Sequence, residues 1–177
     1  MPEKTQPQTA FHSLRGAATL AILSADLDEK TALAQAAAIR WQERRLSLRS
    51  PLDPPLPDRP GRPAKPELVP PKAVEKRSLH TLPGRIALLH ALAHIELNAV
   101  DLALDIVARF ATEPVPQSFF DGWMQVAFEE AKHFRLIRDR LRDRELGAGD
   151  LTHEQQRLDV ELGSGFSIGA HPRAASS

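Results

Sequence analysis

Gly84-Arg85-Ile86-Ala87-Leu88-Leu89-His90-Ala91-Leu92-Ala93-His94-Ile95-Glu96-Leu97 is the stretch that decides how this chain folds. Its apolar residues recur at helical spacing, and the pattern predicts a helix from about Pro83 to Phe110 with proline in the first turn. At about 100° per residue, Ile86, Leu89, Ala93, Val100 and Val107 fall together, beside a second stripe of Leu88, Leu92, Ile95, Leu102 and Ile106. The combined arc is about 200° wide, as expected of a helix buried on more than one side. Glu96 falls near its centre, while His90, His94, Asn98, Asp101 and Asp105 are expected on the opposite, polar face. A carboxylate facing a helical core is costly unless it is paired, protonated or bound to a cation.

A second helix repeats the anomaly. It is expected to begin after Pro114 and Pro116, with Ser118 as a candidate cap, and to run to about Leu146, where Gly147 stops it. Phe119, Trp123, Val126, Phe134, Ile137 and Leu141 define its apolar centre, and Glu130 lies among them. His133 sits about 60° from Glu130, so both side chains reach a common point. Glu129 is rotated by about 100° toward the outside, and His94 by about 200° from Glu96, so neither belongs to the same set. Alone, either inward glutamate could be satisfied by an arginine such as Arg85 or Arg138. Together on adjacent antiparallel helices, Glu96, Glu130 and His133 point to a metal site, because a carboxylate can bridge two ions and an imidazole completes each one.

The rest of the chain frames this pair of helices. Residues from about Ala10 to Leu23 are mostly small and apolar, with Phe11, Leu14, Leu20 and Leu23 available for packing, and Asp26 or Asp28 can cap a further helix running to about Arg45. Nine prolines between Pro51 and Pro71 then rule out helix or central strand and give an extended arm. Leu52, Leu56, Leu68 and Val69 would pack that arm on the body; a ligand for a proline-binding domain is the sharper alternative. The organisation expected is an N-terminal helical segment (1–49), a proline-rich arm (50–74), a helix pair (75–150), and a short helix with a Gly/Ala/Ser-rich tail (151–177).

Composition narrows the chemistry. The 177 residues suit one domain. Lysine plus arginine and aspartate plus glutamate both total 23, so no global field favours nucleic acid or an anionic membrane. The absence of cysteine excludes disulfides, thiolate metal sites and cysteine nucleophiles, and fits a reducing cytoplasm. No apolar run approaches the roughly 20 residues of a membrane span, and Gly-x-Ser-x-Gly, Gly-x-Gly-x-x-Gly and Gly-Lys-Ser/Thr strings are missing.

The run Arg62-Pro63-Ala64-Lys65-Pro66-Glu67-Leu68-Val69-Pro70-Pro71, the stretch from Gly84 to Leu97, Asp101 to Asp105, and Phe120-Asp121 with Ala127 to Phe134 resemble an uncharacterised ferritin-like family over about residues 10–150. The resemblance implies an all-α, ferritin-like helical bundle. It also implies a site in which Glu96 is the ligand of the first helix and Glu130 and His133 are the pair of the second, with di-iron, or manganese, as the cofactor. The family also looks distantly similar to di-iron tRNA-modifying monooxygenases. Ferritin-like bundles draw a second Glu and a second Glu-x-x-His from two later helices, whereas only about thirty residues follow Leu146. The expectation is therefore a shortened member carrying half a site, which a homodimer could complete by two-fold symmetry.

Three functions follow as expectations. One is a cytoplasmic metal protein, an oxidoreductase at a carboxylate-bridged centre. Another is a non-catalytic or degenerate helical scaffold that self-associates through apolar surface left uncovered. The third is RNA modification, on the strength of Arg135, Arg138, Arg140, Arg142 and Arg144. The interleaved Asp139, Asp143 and Glu145 make a salt-bridged surface the better reading of that series, and nucleic acid is not the partner expected.

Overall fold

The computed structural model describes residues 12–63 and 80–148, with side chains described as far as residue 143. Four helices lie within these residues: α1 (Leu14–Leu23), α2 (Leu27–Gln42), α3 (Leu82–Phe110) and α4 (Gln117–Ala148). Three of the starts have a local cause. Ser13 Oγ accepts from the Gly16 amide, Asp26 Oδ1 from Glu29 and Thr81 Oγ1 from Gly84, satisfying donors that a helix N-terminus leaves open. Pro83 occupies the first turn of α3, where its missing N–H costs nothing.

Some boundaries differ from those read in the sequence. Helix α2 ends at Gln42, short of the expected Arg45, because Arg44 turns into the left-handed region at φ 58°. Its guanidinium is held there by Asp121 and lies over the Trp41 ring. Ser118 lies inside α4, which starts at Gln117, and α4 continues through Gly147 to Ala148. Phe11, Leu68, Val69, the short helix expected near 150–162 and the tail lie outside the described residues.

The two long helices form an antiparallel pair, and the two short ones lie across one of its faces, α1 against α3 and α2 against α4. Small residues make that approach close: Ala17, Ala18 and Ala21 of α1 and Ala34, Ala37 and Ala38 of α2 are fully buried. They meet Val100, Leu104 and Val107 of α3 and Phe120, Met124 and Ala127 of α4. A second cluster, Ile86, Ala93, Leu97, Phe134 and Leu141, continues the core along the same seam.

This packing corrects the phase expected for α3. Leu88, Leu92 and Ile95 are exposed, at 43%, 36% and 59%, whereas His90 and Asp101, expected on the polar face, are buried. In α4 the buried row is Phe120, Met124, Ala127, Ala131, Phe134 and Leu141, while Phe119, Trp123, Val126 and Ile137 are only partly covered. Both helices are rotated from the centre of their apolar arcs, α4 by roughly 70° and α3 by roughly 90°. The physical reason is that the arcs are wider than the face α1 and α2 can cover, and Asp101, brought inward, finds two cationic partners.

Candidate metal centre

The outer flank of the α3–α4 pair carries the two glutamates. Glu96 and Glu130 sit at the border between the face covered by α1 and α2 and the open apolar stripe, and each is about a quarter exposed, at 22% and 25%. His133, one turn after Glu130, is half exposed. One donor atom from each of the three lies within 4.8 Å of the others. His133 Nδ1 stands 3.2 Å from Glu130 Oε2 and 3.8 Å from Glu96 Oε2.

Two carboxylates this close cannot both ionise freely. Burial, followed by the hydrogen bond and repulsion from Glu130, pushes the Glu96 carboxyl up to about 7. The hydrogen bond it receives from Glu96, helped by His133, holds Glu130 below the usual carboxylate range against some burial. Below about pH 7 the pair therefore favours one shared proton, on the Glu96 side. A cation placed among the three donors would remove the need for it.

The neighbours that resemble these ligands in the linear string point elsewhere. Glu129 is exposed and accepts a hydrogen bond from Gln125 at 2.7 Å. His94 Nδ1 lies 3.0 Å from Asn98 Nδ2, on the flank of α3 that faces the proline-rich arm. Arg138 does not neutralise Glu130: it pairs with Asp28 and Asp139, and Arg142 also reaches Asp28.

A second polar centre escapes sequence reading. Lys30 is fully buried, donating to Asp101 Oδ1 at 2.6 Å and to the Ile22 carbonyl at 3.1 Å. Arg62, from the arm, closes on the other oxygen of Asp101 and donates to Asn98 Oδ1 at 2.8 Å. Burial pulls the Lys30 ammonium below the ordinary lysine range, opposed by Asp101. Helical phase alone could not find this centre, because its two cations come from segments distant in sequence. The signal present was Asp101 itself, flanked by apolar Val100 and Leu102.

Among the described residues, no helix is long and apolar enough to cross a membrane. No solved structure matches the chain. An uncharacterized protein of Haemophilus influenzae is 47% identical over 85 residues, a segment that makes up 45% of this chain and 30% of that protein. The chain therefore spans under a third of the length of this curated relative. The family described as "Protein of unknown function (DUF455)" matches residues 23–158, which include α2, α3, α4 and all three residues of the carboxylate–imidazole cluster, and the chain belongs to that family.

Proposed function

We propose that this chain is a ferritin-like metal-binding protein whose Glu96, Glu130 and His133 hold iron, or manganese, for oxidoreductase chemistry. The observation that carries the reading is the convergence of two carboxylates and an imidazole from two antiparallel helices within 4.8 Å. This oxygen-rich set with one nitrogen suits ferrous, ferric and manganous ions, and three protein donors leave coordination positions open. When bound, the ion would supply Lewis acidity and, for iron, redox cycling. The chain's own residues set the conditions for binding. Glu96 must give up its proton and His133 must be neutral, so loading is coupled to proton release, and the half-exposed edge at His133 provides the exit.

The exposed stripe of Leu88, Leu92 and Ile95 beside Glu96 supports a homodimer in the same reading. A two-fold axis through that face would bring two three-residue sets toward each other and cover the stripe. It equally supports the alternative of a non-catalytic scaffold that self-associates. RNA modification finds less support, since Arg135 is engaged with Gln35 and Arg138 and Arg142 with Asp28. Elemental analysis of purified protein separates the two main readings. Iron or manganese in the wild type and its loss in Glu130→Ala is expected of a metal protein; equal, near-zero metal in both leaves the scaffold.

A further inference from the structure

The arm is fastened to the bundle at few points. Prolines 51, 54, 55, 57, 60 and 63 remove donors from it, and most of its residues are exposed or half-exposed. Leu56 packs against the main core, and Arg109 reaches the Pro57 carbonyl at 3.4 Å. The Gly61 amide donates to the Ile22 carbonyl at 2.8 Å. Among the described residues this is the backbone hydrogen bond that ties 54–63 to the helices. A side chain at Gly61 would run into the carbonyls of Leu23 and Ser24, so the close approach depends on glycine there. At the arm's start Asp53 accepts from Ser13 and pairs with Arg15; past that anchor the remaining fastening among the described residues is Arg62, and it shares its anion with a second cation. Closing the arm brings its guanidinium to a carboxylate that already holds the buried Lys30 ammonium, putting two cations on Asp101. With the arm lifted, Lys30 and Asp101 still form a neutral pair tied to the end of α1 through Ile22.

We propose that residues 54–63 form a strap latched by Arg62, which opens and closes while the four helices stay folded. Few buried apolar contacts and a single backbone tie place the strap at the low end of local stability. Opening bares Asn98, Asp101 and the flank of α3 opposite Glu96, without touching the carboxylate–imidazole cluster.

Amide exchange followed by NMR in the full chain tests this. In the wild type the Gly61 amide should exchange faster than those of Met124 and Ala127 in the α4 core. In Arg62→Met, which keeps an apolar stem, Gly61 exchange should rise on the order of 10-fold while Met124 and Ala127 keep their rates. Arg62→Lys, retaining charge without the fork, should fall between. Unchanged Gly61 exchange in Arg62→Met overturns the latch. A common acceleration of all three amides, or a variant that does not fold, shows the arm to be part of the cooperative core and overturns the independent strap.

Discussion

The position of Glu96, partly buried beside Glu130, favours its protonated form up to about pH 7. With its carboxyl pushed up to about 7 from an ordinary 4.5, the folded state binds that proton more tightly than the unfolded chain. The resulting stability is fully present below pH 4.5 and is lost as pH rises through about 7. In chelator-treated protein, Glu96→Gln should therefore flatten the fall in Tm between pH 4.5 and 7, and should melt higher than wild type at pH 8. An unchanged pH profile would mean the two carboxylates do not interact. Asp101 makes the opposite demand, because two cations depend on it. Asp101→Ala should cost about 3–5 kcal/mol in denaturant unfolding, the range for stranding buried charge. Lys30→Met should cost less, since Arg62 still pairs with the carboxylate. Equal losses would contradict the shared-anion arrangement. Glu129 and Glu130 could be told apart in the sequence because helical phase is a local property. The role of Asp101 could not, because Lys30 and Arg62 lie some 71 and 39 positions away in the chain.

Caps and arcs govern the elements. Asp26 was legible as a helix start because its side chain and the amide it serves are three residues apart. Asp26→Ala should lower stability by about 1 kcal/mol, with Asp26→Asn close to neutral, as read by chemical denaturation. The rotation of α3 and α4 was not legible. Their apolar arcs are broad enough to accept several partner faces, and the choice was made by the small-residue surfaces of α1 and α2. The same alanines that permit the approach forbid enlargement. Ala37→Leu, placed in a fully buried contact, should destabilise by about 1–3 kcal/mol through overpacking.

At the scale of the molecule, the described helices cover one face of the α3–α4 pair and leave the apolar stripe of Leu88, Leu92 and Ile95 exposed on the other, with the acidic cluster on the border between them. That the described residues would be helical followed from periodicity and proline placement; which face would remain open depended on tertiary packing. If the open stripe mediates self-association, Leu92→Glu should shift the sedimentation profile toward monomer without lowering the Tm. The central claim is that Glu96, Glu130 and His133 form a metal site. Its most direct measurement is an anaerobic Fe(II) titration of metal-stripped wild type, Glu130→Ala and Glu129→Ala, with free and bound iron separated and counted. Saturable binding in wild type and Glu129→Ala, lost in Glu130→Ala, is the result predicted. Identical curves for all three proteins would contradict it.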